Sequence, residues 1–319
     1  MTPERSGQEK SGVRRAEMIV LKRFLQNRNA IFLLALVCGL IVPCATPVTR
    51  HLLLPVLALA MTLSTLEIGS DVFRKPRALL FPALLGVVMS YIILGNLIIG
   101  LSAFMITDEE IWTGFVLLAA APPAIAVIPF SVFLRGDRPL ALIGTVGAYL
   151  GALLIMPLIA LGLLNTAALD PFQLVLIMLE LIVLPLVVSR LLLRKGWKER
   201  LDPHRGLVTN WCFFVALYTL VGLNRDLIVG ETARLLPIVF ISLISTFFLG
   251  FFIDWITARL HLAKATRTSL ILLGTLKNQG LSGGLAVTLF AQEAALPSAV
   301  STIIMIVFVI CLDIRQRWE

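Results

Sequence analysis

Residues 274–284 read GTLKNQGLSGG and sit inside an apolar run from Leu270 to Phe290. A lysine near the middle of a membrane helix costs at least ~2.5–3.5 kcal/mol on insertion scales. Each glycine weakens a helix by about 1 kcal/mol. Yet Lys277, Asn278 and Gln279 stand together here, followed by Gly280, Gly283 and Gly284. At 1.5 Å per residue, Lys277 lies roughly 12 Å from the nearer end of its segment. That is too deep for its ammonium to snorkel to the headgroups, so it must face protein, water or a partner.

The rest of the chain makes the membrane setting plain. Of 319 residues, 58% are hydrophobic and 14% charged, and the mean hydropathy is +0.95. A soluble domain runs nearer ~25% charged, so the chain reads as an all-α integral membrane protein with the lipid bilayer as its first partner. The net charge of +8 would suggest nucleic acid in a soluble protein. Here its placement matters more, and no nucleic-acid partner is expected. Cys38, Cys44, Cys212 and Cys311 form no CxxC pair and read as apolar fillers. No metal or other cofactor is implied, and no cleavable apolar leader precedes residue 30.

A span needs ~20 apolar residues. Ten segments meet or approach that length: 30–47, 51–69, 78–105, 111–134, 139–163, 171–193, 207–224, 235–257, 269–291 and 296–313. Loop charge tests the count, because Lys and Arg concentrate in cytoplasmic loops. Residues 1–29, the loops SDVFRKPR, RGDR, RLLLRKGWKERLDPHR and RLHLAKATR, and the C-terminal RQR together hold 23 of the 27 Lys and Arg. The alternate loops hold only Arg50, Arg225 and Arg234, with the acidic TDEE. Ten spans with both termini cytoplasmic, in a cell (inner) membrane, satisfy every loop. Residues 1–29 form a basic N-terminus in which Met18, Leu21, Phe24 and Leu25 fall near one helical face. This reads either as an interfacial helix or as a tail that only sets topology.

Ten spans divide into two five-helix repeats, 30–165 and 166–319, of opposite orientation, the inverted-repeat plan of many secondary transporters. The fourth span of each half is unusual. The first contains APPAIAVIPF with Pro122, Pro123 and Pro129, and the second contains KNQGLSGG. Proline removes a backbone donor and clashes with the preceding turn, so both spans should be broken near mid-membrane, with Gly280, Gly283 and Gly284 marking the second break. Matched breaks point to a transport site; simple kinking is the alternative.

These stretches resemble the bile acid:sodium symporter family. The resemblance rests on APPAIAVIPFSVFLRGDRPLALIGTVGAYLGALLIMPL (121–158), on GTLKNQGLSGGLAVTLF (274–290) and on DVFRKPRALL. It implies a panel of spans 1, 2, 6 and 7 and a core of spans 3–5 and 8–10, moving against each other in alternating access. Auxin-efflux-type and arsenite carriers belong to the same broad fold group. The family's sodium ligands map to Ser90, Val127, Ile128, Ala141, Thr145, Leu273 and Lys277, where only Thr145 and the short Ser90 keep a side-chain oxygen acceptor. Sodium, like other hard cations, needs several oxygen ligands, and an ammonium beside it would repel it. Sodium coupling through those sites is therefore not expected.

Three readings of Lys277 follow: a tethered cation where sodium would stand, a proton carrier, or one half of an ion pair with Glu180. Asn278, Gln279, Thr145, Ser90 and Asn96 are the other candidates for lining a substrate or coupling site. Half-helix N-termini attract anions, so the expected substrate is a small carboxylate-bearing organic anion, carried with protons or by uniport or exchange. A cation/proton antiporter would need a carboxylate at the crossing, and spans 4, 5 and 9 have none in their interiors. An arsenite carrier lacks support because spans 4 and 9 hold no cysteine. An enzyme is not expected: His51, His204 and His261 lie in or near loops, with no HExxH or GxSxG. A non-transporting receptor or scaffold on a transporter fold remains the alternative of a different class.

Overall fold

A computed structural model describes residues 28–66, 76–164, 176, 179–230 and 232–318. The N-terminal basic segment, most of the first half of the sixth expected span and the boundary at 165/166 lie outside the described residues. The described chain is helical. In order it forms α1 (Arg28–Ile41), α2 (Thr46–Thr65) and α3, which joins Pro76–Val87, a π-helical stretch Val88–Gly95 and Asn96–Met105. Next come α4 (Glu109–Ala120), α5 (Val127–Phe133), α6 (Arg138–Leu163) and α7, a π-helical Leu179–Val183 followed by Leu184–Arg194. Then follow α8 (Lys198–Leu223), α9 (Arg225–Gly230) and α10, which joins Thr232–Leu243, a π-helical Ile244–Phe248 and Leu249–Arg259. The last are α11 (Lys264–Thr275), α12 (Gln279–Leu289) and α13 (Leu296–Trp318).

Six helices among the described residues are long and apolar enough to cross a membrane: Pro43–Thr65, Leu79–Met105, Arg138–Leu163, Lys198–Leu223, Arg234–Arg259 and Glu293–Arg317. Ala30–Ile41 is apolar but shorter. The expected fourth and ninth segments each fall on two short helices, because both are interrupted. The expected seventh segment begins at residue 207, but α8 starts at Lys198, so much of the basic RLLLRKGWKERLDPHR stretch is helical rather than loop. The turn before it is Lys195–Trp197, where Gly196 adopts φ 69°, a conformation glycine takes without a Cβ penalty.

Caps written in the sequence start the key helices. Asp108 accepts from the backbone N–H groups of Glu110 (3.0 Å) and Ile111 (3.1 Å) to open α4. Asp137 accepts from Leu140 N–H (3.1 Å) to open α6, with Pro139 in its first turn. Each satisfies helix N–H groups that have no partner inside the helix. Asp108 also pairs with Arg234 near the start of α10. Partial burial raises its carboxyl pKa, but Arg234 and the two backbone donors outweigh this and hold it below the ordinary carboxylate value.

Two apolar clusters divide the interior. One draws on α3, α4, α5, α6, α10, α11 and α13, around Phe115, Leu273 and Phe308. The other joins α1, α2 and α8 to the facing sides of α4, α6, α12 and α13, around Leu57, Leu220 and Leu285. Large apolar side chains such as Phe81, Phe104, Leu154 and Phe248 face outward, where lipid covers them in an integral membrane protein.

Within the first cluster α3 and α6 approach to backbone contact. A Cβ built on Gly86 would lie 2.1 Å from the Gly144 carbonyl oxygen, and one on Gly147 would lie 2.5 Å from Ala83 Cβ. Small residues at such crossings let backbones pack closely where lipid supplies no hydrophobic drive. Gly86→Ala should therefore lose about 1–3 kcal/mol, as overpacking does, seen as a lower melting temperature in detergent. Gly162→Ala, with nothing within 4 Å of the new Cβ, is the control. A Gly86→Ala protein that melts with the control would refute the close crossing.

Candidate functional site at the helix crossing

The site begins with the two interruptions. After Ala120 the chain runs extended through Ala121 (φ −62°, ψ 147°) and re-enters helix at Val127. After Thr275 it runs extended through Leu276 (φ −106°, ψ 108°) and re-enters helix at Gln279. The two extended pieces pair antiparallel, Pro123 against Lys277. Ala124 N–H donates to the Leu276 carbonyl (2.9 Å), and Asn278 N–H donates to the Pro122 carbonyl (2.9 Å). The broken helices thus cross through their own backbones.

Backbone accounting explains why Lys277 is there. In a continuous helix the carbonyl of Ala119 would accept from residue 123, and that residue is proline, which has no N–H. Lys277 Nζ donates instead to the Ala119 carbonyl (2.7 Å) and the Ala121 carbonyl (2.8 Å). Its third donor goes to Ser90 Oγ (3.1 Å). An ammonium has three N–H donors, and all three are used. The Nζ also lies 4.5 Å from the centre of the Tyr91 ring, a cation–π arrangement. The α4 carbonyls belong to a helix C-terminus, the partially negative end of the helix dipole. Lys277 is 2% exposed, and these contacts replace its hydration. Tyr91 is fixed in turn by donating its hydroxyl to the Ala148 carbonyl (2.9 Å).

Asn278 is the N-cap of α12: its Oδ1 accepts from Leu281 N–H (3.0 Å) while its Nδ2 donates to Tyr149 OH (2.8 Å). Gln279 is 6% exposed. Among the described residues its side-chain amide, unlike that of Asn278, has no hydrogen-bond partner. Both border a small cavity of about 50 Å³ whose other walls include Phe32, Ala124, Ile125, Phe213, Leu217, Thr302 and Met305. A second cavity of about 30 Å³ lies between Met61, Thr65, Ile125, Ile128, Thr145, Tyr149 and Leu186. Lys277 borders neither. Its charge points to the α3–α4 side of the crossing, and the cavities open on the other.

Several expected site residues fall elsewhere. Glu180 is exposed in α7 and takes no part in holding Lys277, so the ion-pair reading is replaced by backbone carbonyls, a serine and an aromatic face. Asn96 is exposed and donates to the Ile92 carbonyl of its own helix (2.9 Å). The second break is Leu276–Asn278; Gly280, Gly283 and Gly284 lie beyond it inside α12. Their role is packing: a Cβ at Gly280 would meet Leu57 at 2.9 Å, and one at Gly283 would meet Leu220 at 2.8 Å. Pro129 likewise sits inside the first turn of α5, where no intrahelical donor is needed, and only Pro122 and Pro123 fall in the break. Val127, Ala141 and Leu273 are buried in one apolar cluster. Among the described residues no group of three or more His, Cys, Asp or Glu could hold a metal ion.

Tyr91 and Tyr149 were not singled out from the sequence. One signal was available: an aromatic ring with a polar tip, one per half-buried helix face, is suited to a site with one wet side.

A membrane protein in which two interrupted helices cross beside an apolar cavity has the build of a transporter. The family model described as "Sodium Bile acid symporter family" matches residues 51–231. The chain belongs to that family, whose members are membrane transporters rather than enzymes. The match ends before α10, so the second broken segment lies outside it. None of the curated proteins compared matches the chain.

Lys277→Met removes the donors of two buried carbonyls. Leaving a buried acceptor unsatisfied costs about 1–3 kcal/mol each, so a destabilisation of about 2–6 kcal/mol is expected in a detergent unfolding series. Pro123→Ala supplies an N–H that serves the Ala119 carbonyl once the extended segment regains helix, which loss of the Lys277 contacts allows. The Lys277→Met/Pro123→Ala double variant should therefore lose less than the two single variants added together, by about 1 kcal/mol. Strict additivity would show that lysine and proline are not complementary.

Proposed function

We propose that the chain is a secondary carrier of a small, carboxylate-bearing organic anion that works without sodium at the crossing. The observation that carries this reading is the three-fold coordination of the Lys277 ammonium by Ser90 Oγ and two α4 carbonyls. A neutral amine would keep two N–H groups for the carbonyls and take the Ser90 hydroxyl as a donor, but it would lose the cation–π attraction of the Tyr91 ring and the charge-assisted bonds to the helix C-terminus. This favours a fixed, tethered cation over a proton carrier. Val127, Ile128, Ala141 and Leu273, where the family resemblance would put sodium ligands, offer no side-chain oxygen. The fixed charge beside them repels a second cation.

The anion site in this reading is the larger cavity. The N-terminus of α12 faces it through Asn278 and Gln279, and helix N-termini favour negative charge. The unused Gln279 amide adds a donor, and the remaining walls suit an apolar body.

The reading includes ten spans in two inverted repeats. Two features support the repeat: the breaks pair by reciprocal hydrogen bonds, and the span before each broken one carries a π-helical stretch, Val88–Gly95 and Ile244–Phe248. In this reading α1, α2 and α8 belong to the panel, packed through one apolar cluster against core helices α4, α6, α12 and α13, and panel and core would move against each other in alternating access, with both termini cytoplasmic.

Proteoliposomes loaded with small monocarboxylates provide the test. Counterflow of a labelled carboxylate is expected, with organic cations excluded. An imposed sodium gradient should change the rate less than about twofold. Absence of counterflow for every carboxylate would leave a receptor or scaffold; tenfold acceleration by sodium would overturn the tethered-cation part alone. Lys277→Gln should leave the pH response of any residual uptake unaltered, and loss of a proton-driven component in that variant would instead make Lys277 the proton carrier.

A further inference from the structure

Two cavities flank the crossing, and they share a wall. Ile125, in the first break, borders both. Asn278 of the larger cavity donates to Tyr149 of the smaller one. One isoleucine side chain and one hydrogen bond therefore mark the boundary between them.

The smaller cavity contains an anomaly. Thr145 is 3% exposed, and its Oγ1 is buried with no hydrogen-bond partner. Threonine in a helix ordinarily donates back to the carbonyl four residues earlier. Thr62, Thr275 and Thr302 all do so here, at 2.7–2.8 Å. Thr145 does not use the Ala141 carbonyl. An orphan buried hydroxyl is unfavourable and calls for a partner. One turn further along α6, Tyr149 OH accepts from Asn278 and donates its own proton to no group among the described residues. The two hydroxyls are four residues apart, on one face of the helix. Of the side chains around them, Met61, Ile128, Val146, Leu150 and Leu186 are apolar, and the Thr65 hydroxyl is already bonded to its own helix, donating to the Met61 carbonyl (2.9 Å).

We infer that the two cavities are the ends of one ligand slot, and that the ligand is a carboxylate bearing a second hydrogen-bonding oxygen at its far end. This rests on the organic-anion reading above. The carboxylate lies against the α12 N-terminus and the Gln279 amide. An apolar body passes Ile125. The distal hydroxyl or carbonyl oxygen meets Thr145 and Tyr149. Ile125 sets the length of body that fits. A site built to hydrogen-bond a ligand oxygen discriminates strongly against the analogue lacking it, because its own buried polar groups are then left unpaired.

Hexanoate and 6-hydroxyhexanoate are suitable probes, titrated calorimetrically into the purified full-length chain and then compared in counterflow. The hydroxylated probe should bind at least about tenfold more tightly. That ratio should fall to near one in Thr145→Val combined with Tyr149→Phe, and should persist in Thr145→Ser, which keeps the hydroxyl. Ile125→Ala should shift the preferred chain length upward, measured with octanoate and its 8-hydroxy derivative. Equal affinity for the two hexanoates, or a ratio that survives the double substitution, would overturn the slot while leaving a carboxylate carrier intact. If neither probe binds and no carboxylate shows counterflow, the carrier reading fails and the slot with it.

Discussion

The crossing is held by what Lys277 and the prolines do for each other. In hydrocarbon every backbone polar group must find a partner inside the protein. Pro122 and Pro123 stop α4 by withholding donors from the carbonyls four residues back. The tripeptide 276–278 then supplies the substitutes. Its Asn278 N–H reaches the Pro122 carbonyl, its Leu276 carbonyl accepts from Ala124, and its lysine reaches the carbonyls of Ala119 and Ala121. Four hydrogen bonds from three residues join the interrupted segments, and without them the end of α4 would be an unsatisfied helix terminus in the interior.

The surrounding structure accommodates that charge. Gly95 lets α3 pass close to the end of α4, since a Cβ there would lie 3.2 Å from the Ala119 carbonyl oxygen. The π-helical stretch of α3 carries both Ser90 and Tyr91, so one turn presents an acceptor and an aromatic face to the same ammonium. The effect is to separate duties across the crossing. Charge is confined to the α3–α4 side, while the cavities on the other side present an amide, a helix N-terminus and hydroxyls, all neutral. A ligand there meets hydrogen-bond donors without displacing the group that holds the helices together.

Most of this architecture was legible in the sequence. Apolar length located the long spans, and adjacent prolines located the first break within a residue or two. The glycines misled. They are close-packing positions against Leu57 and Leu220, and a glycine needed for a neighbour's side chain looks the same in sequence as one that ends a helix. Lys277 was recognisable as buried, but its partners were not. A carboxylate partner is written in residue type, whereas a backbone carbonyl is available at every residue. Counting donors four residues beyond each carbonyl would have exposed Ala119, because residue 123 is proline. Thr145 was among the candidate lining residues, but the orphan state of its hydroxyl depends on a rotamer that spacing cannot specify. Tyr149 escaped because its significance lies in Asn278, 129 positions away.

Replacing a mobile ion by a tethered one has an energetic consequence for a carrier. A diffusible cation at a crossing contributes only when bound, so its concentration gradient is linked to the state of the protein. On the tethered-cation reading, a lysine that kept the same contacts in both orientations would have no differential affinity for them and would not bias them. In a carrier built this way the fixed charge organises the scaffold, and the driving force must come from the substrate's own gradient or from a group other than Lys277. On the organic-anion reading, the neutral lining of the two cavities would leave the bound anion as the species whose occupancy changes between orientations, and preference for one orientation would follow from the anion's own contacts.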